Sequence, residues 1–166
     1  EAIAIGLLFS YADPSHELAI ATRLRQEFPG VHISASSEVL PEIREYERIA
    51  TTVLDAYLTP VLADYLAGLG ARATAAGLPT PEIMQSSGGL MPLGAAARHA
   101  SRTVLSGPAG GVVGAAHVAA AEQAGIALAF DMGGTSCDVA LITDGKPGRA
   151  PGSVVAGHPV HLPMLD

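Results

Sequence analysis

The sequence predicts an α/β protein. Apolar residues 3–9 predict a strand, apolar residues at helical spacing occupy residues 13–28, and residues 31–35 predict a second strand. Much later, two short strand-like runs flank the pair Gly133-Gly134. A strand–helix–strand unit and a glycine-rich hairpin in one chain are typical of folds that layer helices on a sheet.

The longest helical pattern runs from Tyr46 to Leu69, with apolar residues three and four positions apart. We expect a core helix that is kinked or split at Pro60, because proline cannot donate the helical hydrogen bond. The charged residues around its start are expected to form a solvated face. They are Glu42, Arg44, Glu45, Glu47 and Arg48.

Composition narrows the classes of partner and site. The 166 residues are 49% hydrophobic with a net charge of −7 and one lysine, Lys146, which argues against nucleic acid or a membrane as a partner. The single cysteine, Cys137, excludes an internal disulfide and fits a reducing cytoplasm. The only lysine precedes proline, so a P-loop is absent, and no Gly-x-Ser-x-Gly elbow or cysteine–histidine zinc framework occurs.

The glycine-rich turn carries the main chemical signal. Gly133 and Gly134 lack side chains, so their amides can approach a bulky anion, and Thr135 adds a hydroxyl donor. A carboxylate such as Asp131 beside a phosphate requires a cation such as Mg²⁺, or a water to orient, between them. The turn is interpreted as a phosphate hairpin, with an ordinary hairpin connection as the alternative.

Asp-x-Gly-Gly-Thr-x-x-Asp at residues 131–138 resembles the phosphate-binding element of the actin and sugar-kinase superfamily. Ser-Gly-Pro-Ala-Gly-Gly-Val-Val-Gly-Ala at residues 106–115 is similar to one narrower group, the hydantoinase A, ATP-dependent 5-oxoprolinase and acetone carboxylase family. Ser-Glu-Val-Leu-Pro at residues 37–41 and Arg-Glu-Tyr-Glu-Arg at residues 44–48 resemble a second segment of that family. The resemblance therefore covers nearly the whole chain.

The resemblance implies actin-like, ribonuclease-H-like lobes. Residues 1–105 would be the C-terminal part of a first lobe, and residues 127–166 the opening strands of a second. Residues 106–126 would link them through a glycine-rich turn and a helix at 112–124, whose small residues favour close packing over anion binding. We expect an internal piece of a longer protein.

The implied activity is ATP-dependent hydrolysis of a small cyclic amide, of the hydantoin or 5-oxoproline type, through phosphoryl activation. ATP and Mg²⁺ are the implied cofactors, and a second hydantoinase-B-type subunit or domain is the implied partner. The alternatives are a ketone-phosphorylating carboxylase subunit, a small-molecule kinase, or a non-catalytic nucleotide-binding scaffold.

The resemblance also assigns residue roles. Gly133, Gly134 and Thr135 would hold phosphate, while Asp131 and Asp138 would be catalytic. Asp131 would also hold the metal, together with the final residue, Asp166, which lies in a Met-Leu-Asp sequence of the family. A second glycine pair, Gly88 and Gly89, is similar to an element that packs against a nucleotide in the superfamily.

Overall fold

The computed structural model describes residues 1–134, 137–155 and 157–166. Its helices are α1 (Ser15–Glu27), α2 (Ser36–Val39), α3 (Glu45–Ala75), α4 (Leu93–Ala96), a 3-10 helix (Ala100–Thr103) and α5 (Ser106–Ala121). Its strands are β1 (Ala2–Ile5), β2 (His32–Ala35), β3 (Glu82–Met84), β4 (Leu90–Pro92), β5 (Ile126–Met132), β6 (Cys137–Thr143), β7 (Lys146–Pro147), β8 (Arg149–Ala150), β9 (Ser153–Val155), β10 (His158–Val160) and β11 (Met164–Leu165). None of the described helices is long and apolar enough to cross a membrane.

The predicted strand–helix–strand unit is confirmed. Strands β1 and β2 pair in parallel, with Ile3 opposite Ile33, and α1 connects them. The first strand is shorter than predicted, because the chain turns after it and the amide of Ala12 donates to the carbonyl of Phe9 at 2.9 Å. Phe9 and its neighbour Leu8 are exposed, so the prediction of a buried strand through residue 9 was wrong.

Helix α3 continues through Pro60 and is therefore not split. Its N-terminal half buries a polar face, whereas apolar side chains along the other face are exposed. The buried polar side chains are Arg48, Thr51, Thr52, Asp55 and Thr59. The exposed apolar ones include Tyr46, Val53, Tyr57 and Val61, at 52–77% of their accessible surface. The predicted apolar core face and the predicted solvated position of Arg48 were both wrong for this half of the helix.

Arg48 can be buried because hydrogen bonds satisfy its guanidinium group. It donates to the carbonyls of Glu42 and Leu7 at 2.8 and 2.9 Å, and to the hydroxyl of Ser36 at 3.2 Å. The Ser36 hydroxyl donates in turn to the buried carboxylate of Glu17 at 2.7 Å. One arginine thereby joins α3 to α2, to the loop that follows β1 and to the loop between α2 and α3.

The next turns of α3 hold later parts of the chain. The hydroxyl of Thr51 accepts the amide of His161 at 2.9 Å, and that of Thr59 accepts the amide of Ala100 at 3.2 Å. The carboxylate of Asp55 accepts the amide and the hydroxyl of Ser101 at 3.1 and 2.6 Å. Helix α3 therefore fixes both the 3-10 helix and the segment after β10.

Helix α5 packs on the hairpin formed by β5 and β6. Ala116 and Ala119 of the helix form a small core with Ile142 of β6, and Ala127 and Ala129 of β5 pack against it. The helix starts at Ser106 rather than at residue 112 as predicted. Pro108 fits within its first turn, where the missing amide would have no helical acceptor.

Candidate functional site

The hairpin of β5 and β6 places two carboxylates side by side. Asp131 and Asp138 are directly opposite each other in the antiparallel register, two residues beyond the pair formed by Ala129 and Ala140. Because side chains alternate along a strand, both carboxylates lie on the face of the hairpin that is turned toward α5. Like charges at opposed positions repel. This pair is therefore suited to a cation or to a polarised water.

A cavity of about 550 Å³ lies between this face of the hairpin and the first half of α5. Asp131, Asp138 and Asp166 all line it, and Ala109 and Gly111 form part of the opposite wall. Asp166 follows β11, which pairs with β8, and its amide donates to the carbonyl of Gly148 at 3.1 Å. The fold thus brings three of the predicted site residues to one cavity from two separate stretches of chain.

The glycines of α5 differ in their surroundings. A Cβ atom added at Gly110 would lie 3.8 Å from the side chain of Met84, in ordinary contact. Apart from the backbone of the helix itself, one added at Gly111 or Gly114 would meet no atom of the described residues within 4 Å. The small residues of this helix and of the turn before it were predicted to allow close packing, which was wrong for Gly111 and Gly114. Gly111 lines the cavity and has no side chain that could project into it.

The tip of the hairpin is described up to Gly134. A Cβ atom added at Gly134 would meet nothing within 4 Å, and the φ of this residue is outside the left-handed region. As far as the described residues extend, the approach to Gly134 is open, and its backbone does not require glycine. Thr135, the predicted hydroxyl donor, lies outside the described residues, and phosphate binding by Gly133, Gly134 and Thr135 stays a prediction.

Gly88 and Gly89 lie in the turn between β3 and β4 and are not among the residues that line the cavity. Gly88 has a φ of +83°, and an added Cβ atom would lie 2.7 Å from Cδ1 of Leu165 and 3.0 Å from Cγ2 of Val113. The lack of a side chain at Gly88 is thus explained by close packing and a left-handed backbone. Contact of these glycines with a nucleotide stays a prediction.

Sequence reasoning missed Ser86, which is 3% exposed and lines the cavity next to the Gly88 turn. Its amide donates to the carbonyl of Arg102 at 2.9 Å, and its hydroxyl donates to the carbonyls of Arg102 and Val104. Its own carbonyl accepts the amide of Leu165 at 2.9 Å. A serine after a short strand carries no sequence signal for such a role, since every one of these partners is distant in the chain.

Asp55 was also missed, because a single acidic residue in a helical pattern is usually solvated. Burial alone would raise the pKa of its carboxyl group. The nearby imidazole of His99 and the hydrogen bonds from Ser101 and Ser34 outweigh burial and hold that pKa below its ordinary value of 3.8. Within the described residues, Nδ1 of His99 is buried without a hydrogen-bond partner, 3.9 Å from Oδ2 of Asp55.

Residues 48–166 match the family model described as Hydantoinase/oxoprolinase. The chain is 40% identical to the 5-oxoprolinase of Saccharomyces cerevisiae over 167 residues, a match that covers 100% of this chain and 13% of that protein. It is 34% identical to the caprolactamase subunit alpha of Pseudomonas jessenii over 177 residues, covering 100% of this chain and 24% of that subunit.

Two solved structures resemble the chain along its whole length. Nucleotide-free acetone carboxylase, from work on ATP-dependent acetone carboxylation, matches with a TM-score of 0.84 and 29% identity. The ATP-dependent caprolactamase of Pseudomonas jessenii matches with a TM-score of 0.83 and 34% identity. The chain spans 24% of each of these structures, so it corresponds to a minor part of its longer relatives.

Proposed function

Because this chain belongs to the hydantoinase/oxoprolinase family, we propose that it forms part of an ATP-dependent hydrolase that opens cyclic amides of the hydantoin or 5-oxoproline type. The observation that carries the proposal is the cavity between α5 and the β5–β6 hairpin, which Asp131, Asp138 and Asp166 line. Three carboxylates beside an open glycine turn form a suitable environment for a metal–phosphate group.

The chemistry explains why such a hydrolase needs ATP. Resonance makes an amide carbonyl a poor electrophile, so water alone attacks it slowly. Transfer of the terminal phosphoryl group from ATP to the amide oxygen releases ADP and makes the ring carbon electrophilic. One water then adds to that carbon, and the C–N bond breaks as the ring nitrogen takes up a proton. A second water hydrolyses the resulting acyl phosphate to a carboxylate and phosphate. In this scheme Gly133 and Gly134 bind phosphate through their amides, and Asp131 with Asp138 orients the water or holds the metal.

The donor set fits Mg²⁺. Carboxylate oxygens are hard ligands, and Mg²⁺ bound to a nucleotide typically takes only one or two of them while phosphates and waters complete its shell. In the parts of the chain that are described, no three His, Cys, Asp or Glu side chains are close enough to form a complete metal site. Asp131 and Asp166 would therefore hold the ion together with the phosphates, and the ion would neutralise their charge.

The domain division and the partner belong to the same proposal. Residues 1–105 would form the end of one actin-like lobe, and residues 127–166 would form the beginning of the next. Residues 106–126 would link the two lobes. The outer face of the β5–β6 hairpin is exposed and apolar at Leu128, Phe130, Val139 and Leu141, as expected of a surface that another unit covers. A further domain, or a hydantoinase-B-type subunit, is the proposed occupant.

The exposed free thiol of Cys137 supports a reducing, cytoplasmic location.

A second function, ATP-dependent carboxylation of a ketone, is favoured by the likeness to acetone carboxylase. Phosphorylation of an enolate oxygen would use the same phosphate and metal groups, so the cavity by itself is compatible with both reactions. The difference lies in the group that receives the phosphoryl unit, which parts of the protein beyond this cavity would select.

Product analysis tests the proposal. The full-length protein, with any copurifying subunit, is incubated with ATP and Mg²⁺ and with 5-oxoproline, hydantoin, or a lactam, and in parallel with acetone and bicarbonate. Mass spectrometry should find the ring-opened acid together with one phosphate released per ring opened. A carboxylated ketone without ring opening would establish the second function, and ATP turnover that no substrate stimulates would contradict both.

A further inference from the structure

Asp131, Asp138 and Asp166 line one cavity, so the place of Asp166 relative to the other two depends on what holds its segment. Asp131 and Asp138 are fixed by the seven paired residues of each hairpin strand. Asp166 follows the two-residue strand β11, whose pairing with β8 alone is a weak constraint. The structure must therefore supply other contacts that keep Asp166 at the cavity.

The turn between β3 and β4 supplies them. The carbonyl of Ser86 accepts the amide of Leu165 at 2.9 Å, and the side chain of Leu165 packs directly on the bare Cα of Gly88. Leu165 is the residue before Asp166. The contact is close enough that any side chain at Gly88 would displace Leu165, since an added Cβ atom would lie only 2.7 Å from it.

Ser86 is itself anchored from the far side. Its amide and hydroxyl hold the carbonyls of Arg102 and Val104, at the end of the 3-10 helix. The preceding residue of that helix, Ser101, is bound by the buried carboxylate of Asp55 in α3. A continuous series of hydrogen bonds thus runs from the longest helix, through Ser86, to the strand that presents Asp166.

We propose that Ser86 and Gly88 are positioning residues that set the place of Asp166 opposite Asp131 and Asp138. This inference rests on the proposed function only for the identity of the ligand, a complex of Mg²⁺ with ATP. The hydroxyl of Ser86 faces protein carbonyls and is already engaged, so its role is to orient the β3–β4 turn and, through it, Leu165.

The first test is independent of any ligand. Amide hydrogen exchange is measured on the peptide that contains residues 164–166, in the full-length protein without nucleotide. Ser86→Ala and Gly88→Ala should speed exchange there at least about tenfold. Gly77→Ala is the matched control, since Gly77 also has positive φ, +67°, but an open surrounding. Unchanged exchange in both variants, or an equal increase in Gly77→Ala, would overturn the inference.

The second test asks whether the position of Asp166 affects the ligand. Calorimetry gives the affinity for ATP with and without Mg²⁺ in Ser86→Ala, Asp166→Asn and the double variant. In each single variant, the affinity for ATP in the presence of Mg²⁺ should be about tenfold weaker than in the wild type. The double variant should be no weaker than either single variant, because both substitutions act through one carboxylate. Additive losses, or wild-type affinity in Ser86→Ala, would overturn the inference. If the wild-type protein binds no ATP, the proposed function fails, and hydrogen exchange alone decides the inference.

Discussion

Asp131 and Asp138 form an opposed pair of like charges, an arrangement that costs stability unless a ligand uses it. Asp131→Asn should therefore have opposite effects on stability and on activity. Without nucleotide the variant should be more stable by about 0.2–1 kcal/mol, because the repulsion is removed. ATP should still bind, while turnover falls about 10²-fold or more, which is about 3 kcal/mol of transition-state stabilisation.

Thermal unfolding measures the change in stability, and calorimetry measures the binding of ATP. Phosphate release in the presence of substrate measures turnover. Asp64→Asn, a matched change at an exposed position of α3, should alter none of them. Wild-type turnover in Asp131→Asn would show that the opposed carboxylates have no catalytic role.

Glu17 gives the fold a defined response to acid. Burial alone would raise its pKa, but hydrogen bonds from the amide of Leu7, the hydroxyl of Ser36 and the amide of Ser37 outweigh burial and lower it below the ordinary 4.5. As the pH falls below about 4.5, the unfolded chain takes up this proton before the folded chain does. The stabilisation is therefore complete above that pH and is lost as the pH falls through the lowered pKa.

Urea unfolding at pH 6 and at pH 3.5 tests this response. The wild-type protein should lose more of its unfolding free energy between the two pH values than Glu17→Gln, which has no proton to take up at this site. Glu122→Gln, at the exposed C-terminal end of α5, should behave as the wild type does. An equal loss in the wild type and in Glu17→Gln would refute the assignment.

At the scale of elements, α3 shows where sequence reasoning succeeded and failed. Periodicity predicted the existence and the start of this helix, since local spacing indicates helix formation, but the helix extends beyond the predicted end at Leu69 to Ala75. It mispredicted the buried face, because hydrogen bonds from distant loops make it possible to bury Arg48 and Asp55. Such partners are set by tertiary structure and leave no mark in a local pattern. The same limit applies to Ser86, whereas the hairpin that pairs Asp131 with Asp138 was predictable because its motif is local.

Two arginines at the start of α3 provide a matched comparison. Arg48→Met would leave the carbonyls of Leu7 and Glu42 and the hydroxyl of Ser36 without their donor, at a cost of about 3 kcal/mol or more. Arg44→Met removes an exposed side chain and should change stability by less than about 0.5 kcal/mol. Urea unfolding of both variants measures the contrast, and similar losses would mean that the buried network contributes little.

For the whole molecule, the α/β class and the strand–helix–strand start were predictable, and the likeness to caprolactamase and acetone carboxylase confirms the class. The cavity was not predictable as a unit. It needs α5, the β5–β6 hairpin and β11 to meet, and only the first two are neighbours in the chain. Asp166 was assigned through resemblance alone, and its role stays a prediction; the structure shows that it lines the same cavity as Asp131.

The central claim is that the glycine hairpin binds the phosphates of ATP, and Gly134→Val in the full-length protein tests it most directly. Among the described residues, a Cβ atom added at Gly134 would meet no atom within 4 Å, so we expect the substitution to obstruct mainly a ligand that approaches the turn. Gly30→Val is the matched control, since Gly30 is also open and lies in a turn far along the chain from the hairpin. Calorimetry should show ATP affinity weakened at least about tenfold in Gly134→Val, with unchanged thermal stability, and wild-type affinity in Gly30→Val. Wild-type ATP affinity in Gly134→Val would contradict the account and leave the hairpin as a structural turn.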